Sequence, residues 1–340
     1  MTLRVAMIAP IAWRTPPRLY GPWELVTSLL TEALVARGVD VTLFATRDSI
    51  TSARLDGVVP APYEEDPTID AKVWEYRHLA HVFEQAECFD LIHNQADFPA
   101  HAFAQLVSTA MVTTIHGFSS DRILPMYAPY QDRVHFVAIS DSDRNPALRY
   151  AATIHHGIRI EDFAFDPLGG DGLLFFGRMH PDKGAREAIL AARASGRRLA
   201  LYGIVQDERY FREQVEPLID GEAVAYHGTV GGEARVRALG SAHALLHLID
   251  FDEPFGLSVI EAMACGTPVI AMRRGSMPEI IEDGVNGFLV DSLEGAVASI
   301  GRVAELDRAR VRETVARRFT VERMADEYLA LYRRLLGRSA

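Results

Sequence analysis

The chain has 340 residues, 49% hydrophobic and 24% charged, with a formal net charge of −11; the length exceeds one ordinary core and fits two domains of about 150 residues each. Net negative charge disfavours nucleic acid, whose phosphates call for clustered Lys and Arg, and no stretch approaches the roughly 18 uncharged apolar residues of a membrane span. The only cysteines, Cys88 and Cys265, lack paired ligand spacing, and the start MTLRVAMIAP lacks the apolar core and cleavage site of a secretory signal, so the expectation is a cytoplasmic protein without disulfide framework, zinc site or integral membrane association.

From Val5 the chain reads apolar run, loop, amphipathic helix over 24–37, Gly38 as terminator and a second apolar run over 39–45, which predicts a strand–helix–strand unit. Short apolar runs recur at 91–92, 111–115, 137–139 and 152–154, with spacers mostly of helix length. Continuous rather than alternating apolarity is the pattern of buried parallel strands. The stretch 161–171, EDFAFDPLGGD, combines Pro, paired Gly and acids and reads as a linker.

A second β/α series follows, with strands predicted over 173–177, 199–203, 224–227, 244–248 and 268–272, a helix over 183–194, and a closing helix over 321–336 carrying Met324, Tyr328, Leu331 and Leu335 at helical spacing. The organisation predicted is an α/β chain with a Rossmann-like domain over 1–160, the linker 161–171, and a second Rossmann-like domain over 172–340 whose terminal helix packs back on the first. Open parallel sheets bind ligands beyond the carboxyl ends of their strands, so the chemistry is sought in the loops there.

The richest loop is 252–269, DEPFGLSVIEAMACGTPV. It sets Glu253 before an expected helix start and Glu261 inside that helix, eight residues on, a little over two turns, so the two carboxylates could share one ligand. Between them, the backbone amides of Phe255, Gly256, Leu257 and Ser258 at a helix N-terminus suit an anion such as a diphosphate. The bland alternative is helix-start chemistry for Glu253 and a solvated Glu261. Next comes GRMHPDKG, 177–184, at a strand end, where Arg178 and Lys183 could neutralise a leaving diphosphate; taken alone, each is also a common turn residue.

GRMHPDKG followed by EPFGLSVIEAMACGTPV, GSMPEII and DGVNGFLV resembles the large family of retaining glycosyltransferases with the GT-B fold, the family 4 type that includes sucrose synthase and bacterial mannosyltransferases. The first half resembles it more loosely, through YGPWE, DLIHNQ and TTIHGF. The resemblance implies two Rossmann-like domains facing across a cleft, and a metal-independent transfer of a hexosyl unit from a nucleoside-diphosphate sugar to a small-molecule, glycan or lipid-linked acceptor, with retention of anomeric configuration and no cofactor. It implies donor contacts from Gly21, Gly177, Arg178, Lys183, Gly203, Glu253, Phe255, Gly256, Leu257 and Glu261. Arg178 and Lys183 would meet the diphosphate, Glu253 hydroxyls of the transferred sugar and Glu261 the ribose, with His116 beside the reacting carbon. Acceptor contacts are assigned to Tyr20, Glu24 and Asn94, within loops over 14–24, 94–98 and 117–130.

Where the family has paired glycines this chain has Gly21-Pro22, and proline has no amide to give. Glu24 is either an acceptor contact or first-turn helix chemistry. His93 and the pair His155-His156 sit at strand ends without carboxylates at ligand spacing, so no metal site is expected, and Ser140 reads as a helix cap. A nicotinamide dehydrogenase is disfavoured by the missing G-x-G-x-x-G; a sugar-nucleotide epimerase or a non-catalytic binding protein of the same fold is the remaining alternative.

Overall fold

A computed structural model describes residues 2–117 and 119–337; Phe118, part of the TTIHGF stretch and of the loop 117–130, lies outside them. The inner strands form mostly where the sequence runs apolar without alternation, because they are covered on both faces. The first sheet contains β1 (Arg4–Ile8), β2 (Asp40–Phe44), β3 (Arg54–Asp56), β4 (Leu91–Asn94), β5 (Ala110–Ile115), β6 (Val134–Ala138) and β7 (Tyr150–Thr153). All pairings are parallel, in the order β3-β2-β1-β4-β5-β6-β7. The second contains β8 (Leu173–Phe176), β9 (Leu199–Tyr202), β10 (Val224–Tyr226), β11 (Ala244–His247), β12 (Val269–Met272) and β13 (Gly287–Val290), also parallel, in the order β10-β9-β8-β11-β12-β13. These are two Rossmann-like sheets of an α/β chain. In each the order reverses once, between β1 and β4 and between β8 and β11, and a reversal opens a crevice at the strands' carboxyl ends.

The chain divides into two compact units, Met1–Gly157 with Val321–Ala340, and Ile158–Thr320. In the first, Ile8, Phe44, Ile92, Met111, Tyr127 and Phe136 build the core. The connection after β1 is the helix Pro22–Ala36, opened by Pro at its first position, where the missing N–H costs nothing. The helix Ala71–Phe83 precedes β4, capped by Asp70 Oδ1 accepting from Val73 N at 3.0 Å. The later spacers differ from the helix-length connections expected: they hold a 3-10 stretch at Phe98–Phe103 and a single turn at Leu124–Tyr127. Pro99, Pro125, Pro129 and Pro146 each remove a backbone donor and break a longer helix. Ser140 caps no helix; its Oγ accepts from Asp143 N at 3.2 Å and closes a turn.

The helix Val321–Leu335 belongs to the first unit and packs against Pro22–Ala36, burying Met324, Tyr328, Leu331 and Tyr332. Arg37 Nε donates to Asp326 Oδ1 at 2.6 Å and Arg37 Nη2 to the Glu322 carbonyl at 3.0 Å. Leu335 is only half-buried, and Tyr332 takes the inward position instead.

In the second unit Leu173, Phe175, Leu201, Leu246, Ile270 and Phe288 form the core. The 161–171 stretch is anchored there: Asp166 N donates to the Cys265 carbonyl at 3.0 Å, and Arg308 Nε and Arg312 Nη1 donate to the carbonyls of Asp166 and Phe163 at 2.7 and 2.6 Å.

Candidate functional site

The two central strands of the second sheet, β8 and β11, end side by side at its reversal, and the two most informative loops of the sequence leave from those ends. The β8 loop runs through Gly177, Arg178 and a 3-10 turn, Pro181–Lys183, into the helix Ala185–Ala194. Gly184 turns the chain with φ of 73°, and a Cβ there would lie 1.9 Å from the Leu248 carbonyl oxygen. Only glycine lets the two loops come this close. Asp250 N donates to the Asp182 carbonyl across the same gap at 2.8 Å.

This approach brings Lys183 Nζ to 2.6 Å from Glu253 Oε2, with the two side chains 15% and 12% exposed. The ammonium also lies 4.3 Å from the centre of the Phe251 ring, and His247 Nε2, at the end of β11, lies 3.5 Å from Glu253 Oε2. Burial alone would raise the Glu253 carboxyl; His247 and Lys183 overcome it and hold it down at about 2. Lys183 is also lowered, because burial outweighs the pull of Glu253. The Glu253 carboxyl is therefore ionised at neutral pH.

Gly275 fixes Glu253 from the other side. With φ of 53°, it sits so close that a Cβ would lie 2.4 Å from Glu253 N and 2.5 Å from its carbonyl oxygen. Ser276 N donates to the Glu253 carbonyl at 2.9 Å and Ser276 Oγ to the Phe255 carbonyl at 2.7 Å. The GSMPEII stretch is therefore the support of the EPFG loop.

The helix after that loop is Leu257–Ala264, preceded by Gly256 and capped by no side chain. Glu253 thus stands outside the helix, and the eight-residue spacing to Glu261 is not a helical one. Glu261, buried at 1% exposure, pairs instead with Arg235 of the helix Gly232–Gly240. Burial raises its carboxyl and Arg235 opposes that. Arg178 donates to Gln206 Oε1. Gly203 follows β9, its backbone so near the Gly177 carbonyl that a Cβ would be 1.8 Å from the oxygen.

In the first unit the reversal lies between β1 and β4. Gly21 precedes the helix Pro22–Ala36, and Glu24 in its first turn is 2% exposed, accepting from Trp13 N at 3.0 Å. Burial pushes the Glu24 carboxyl up to about 7. Tyr20 meets Trp13 edge to face at 5.9 Å. Asn94, at the end of β4, is fully buried; its Nδ2 donates to the Asp97 carbonyl at 2.7 Å and its Oδ1 accepts from Ala96 N at 3.0 Å, shaping the loop from within.

His116 follows β5 and is 8% exposed. It stacks on Trp23 at 5.2 Å, its Nε2 lies 2.7 Å from Gln95 Oε1, and its Nδ1 lies 3.4 Å from His156 Nε2. Burial holds its pKa down at about 3, so the ring is neutral at neutral pH.

Sequence reasoning missed His247, Arg235, Gln206 and Gln95. Gln95 alone carried a local signal, its place in DLIHNQ at a strand end; the others act through neighbours 28 to 6 residues away in sequence and carry no motif of their own. Among the described residues no group of three or more His, Cys, Asp or Glu side chains is arranged to hold a metal ion, and no helix is long and apolar enough to cross a membrane.

Comparison with known proteins covers both units. The family model described as glycosyl transferases group 1 matches residues 166–314, and the one described as Glycosyltransferase Family 4 matches residues 24–161. The D-inositol 3-phosphate glycosyltransferase of Segniliparus rotundus is 34% identical over 178 residues, 48% of this chain and 39% of the relative. The enzyme of the same name from Mycobacterium tuberculosis is 37% identical over 102 residues, 27% of this chain and 21% of the relative. The matches thus span well under half the length of these curated relatives. Among solved structures, AviGT4, a glycosyltransferase involved in avilamycin A biosynthesis, is 25% identical with a TM-score of 0.73, covering 99% of each chain. Sucrose-phosphate synthase from Thermosynechococcus elongatus shares the fold at a TM-score of 0.79 and 20% identity, over 98% of this chain and 99% of that one. Anabaena HepE, solved with UDP and glucose, does so at 0.76 and 17%, over 96% and 98%.

Proposed function

Because the chain belongs to the family 4 type of glycosyltransferase with the GT-B fold, we propose that it transfers a hexosyl unit from a nucleoside-diphosphate sugar to an acceptor hydroxyl, in the cytoplasm, with retention of configuration and without a metal ion. The observation that carries the reading is the buried ion pair of Lys183 and Glu253 at the β8/β11 reversal, 2.6 Å apart. Lys183 has three donors and gives one to Glu253; the others face a ligand's phosphate oxygens, and Arg178 adds a planar second cation. Positive charge fixed in a mostly buried site stabilises charge growing on a departing diphosphate, the task a metal ion performs elsewhere.

Glu253, kept ionised by Lys183 and His247, accepts hydrogen bonds from sugar hydroxyls. Glu261 accepts from the ribose, with Arg235 holding its carboxylate in place. The amides at the start of Leu257–Ala264, after Phe255 and Gly256, point at anionic oxygen. His116, neutral, with its Nε2 engaged by Gln95 Oε1, lies beside the reacting carbon. The loops carrying Tyr20, Glu24 and Asn94 receive the acceptor.

The test is a panel of UDP-, GDP-, ADP- and TDP-sugars, read by melting shift and by slow donor hydrolysis. One donor raising the melting temperature and releasing its nucleotide slowly supports transfer. Interconversion of the free donor with no hydrolysis would mark an epimerase instead, and no response to any donor would sink the reading.

A further inference from the structure

His156 Nε2 lies 3.4 Å from Nδ1 of His116, and on its other side His116 joins a row of buried polar groups that the proposed reaction does not account for. Its Nε2 lies 2.7 Å from Gln95 Oε1, and Gln95 Nε2 lies 3.2 Å from His93 Nε2. His93 Nδ1 meets the Tyr332 hydroxyl at 2.5 Å, His93 Nε2 meets Thr114 Oγ1 at 2.8 Å, and Thr114 Oγ1 meets the Tyr328 hydroxyl at 2.7 Å. Every member is at most 8% exposed, and His93, Tyr332 and Thr114 are 1% or less. The row begins on the helix Val321–Leu335, which the chain reaches only after completing the second unit, and crosses β4 and β5 to the ring stacked on Trp23.

The chemistry of the amide couples the two imidazoles. A neutral imidazole has one N–H and one bare nitrogen, and a primary amide has one donating end and one accepting end. With Gln95 Oε1 toward His116, that Nε2 carries the proton; with Gln95 Nε2 toward His93, that Nε2 is bare and the His93 proton sits on Nδ1, donated to Tyr332. Turning the amide over reverses both rings together. Either way, the two histidines hold opposite tautomers. An unmatched donor or acceptor in this dry interior carries the full desolvation penalty, which opposes mixed states.

We infer that Gln95 and His93 are positioning residues for His116: tied to Tyr332 and Tyr328 of the C-terminal helix, they fix the tautomer and orientation of the His116 ring, with its Nε2 protonated and its Nδ1 bare. The inference rests on the role proposed above for His116. An imidazole held in the wrong tautomer presents a donor where the reaction needs an acceptor.

The test uses the full chain and two near-isosteric substitutions, Gln95→Leu and Tyr332→Phe, with imidazole ¹⁵N spectra recorded without any substrate. In the wild type His93 and His116 are each expected as a single tautomer, opposite to one another. Gln95→Leu is expected to give His116 mixed tautomers and to lower kcat roughly 10–100-fold, the range lost when outer partners orienting a ligating imidazole are removed, with donor affinity unchanged. Tyr332→Phe is expected to alter the His116 signals although Tyr332 does not touch that ring. Like tautomers on the two rings, an unaltered His116 in Gln95→Leu, or a Tyr332→Phe effect confined to His93 would each overturn the relay. If the spectra change as expected while turnover stays at the wild-type level, in these variants and in His116→Ala, the relay stands and the proposed role of His116 fails.

Discussion

Replacing Lys183 by Met leaves Glu253 as a mostly buried carboxylate with His247, 3.5 Å away, as its remaining ionisable partner. In the native protein Glu253 is held at about 2 against an ordinary 4.5. That difference corresponds to about 3 kcal/mol of stabilisation at neutral pH. Because the folded value is the lower one, this contribution is present above pH 4.5 and is lost as pH falls through about 2. His247 supplies part of that lowering and stays in the variant, so losing Lys183 should destabilise the second unit by less than the full amount, by roughly 1–3 kcal/mol, through the buried carboxylate left with one partner. Glu253→Gln on top of Lys183→Met removes the orphaned charge and should recover most of that loss. Turnover behaves differently: both single variants and the double variant should be slowed, Lys183→Met by about 10²–10³. Urea melts followed by circular dichroism give the stability cycle, with amide exchange locating the loss in Ile158–Thr320, and donor hydrolysis gives the rates. Lys183→Met within about 0.5 kcal/mol of wild type and turning over normally would show Lys183 to be a solvated turn residue.

Arg178→Lys should keep the fold and lower kcat, because a point charge does not reproduce the two-pronged guanidinium contact with phosphate oxygens; unchanged kcat would take Arg178 out of the reaction. Dialysis against EDTA should leave the rate nearly unaltered, and revival of a dead dialysed enzyme by Mg²⁺ or Mn²⁺ would refute the assignment of diphosphate charge to Lys183 and Arg178. NMR of the first-formed product should show the donor's anomeric configuration retained, and an inverted product would refute it. Mild acid should unfold the first unit first: burial holds His78 and His101 at about 4 and His93 and His116 at about 3, below the ordinary 6.5. Their stabilisation is therefore full above pH 6.5 and falls below it by about 1.4 kcal/mol per histidine per pH unit, with Glu24, held at about 7, offsetting one of them down to pH 4.5. All three tryptophans, Trp13, Trp23 and Trp74, lie in that unit, so a fluorescence melting midpoint unchanged between pH 7 and 5 would contradict it.

The strands and their loops were legible because parallel strands covered on both faces favour unbroken apolar runs, as in residues 5–8 of β1 and in Leu245 and Leu246 of β11. Two of the four edge strands were not: β3 contributes three residues with one apolar side chain, and β13 is four residues opened by Gly287. In the site, Gly184 and Gly275 are readable because a backbone approach under 3 Å admits no other residue, and such constraints leave a motif. The partners Arg235, His247 and Gln206 leave none, since any strand or helix position supplying a side chain of that reach would serve. Glu253 stands before the helix and Glu261 inside it, as the sequence reads, but Gly256, with φ of 96°, delays the helix to Leu257, so a count of helical turns from Glu253 does not fix how the two carboxylates are related.

The two sheet reversals carry opposite electrostatics, and burial explains the difference. At β8/β11 the titratable groups meet partners of opposite sign, Lys183 with Glu253 and Arg235 with Glu261, which offset the penalty of withdrawal from water and for Glu253 outweigh it. Around the first-unit reversal the titratable groups are buried with neutral partners: His93 and His116 are held uncharged and the Glu24 carboxyl is raised. A neutral imidazole has no charge to set against a diphosphate. On the proposed reading the donor, its diphosphate included, is met in the second unit and the acceptor hydroxyl in the first, so introducing charge at His116 should disturb acceptor use while leaving nucleotide affinity as it was.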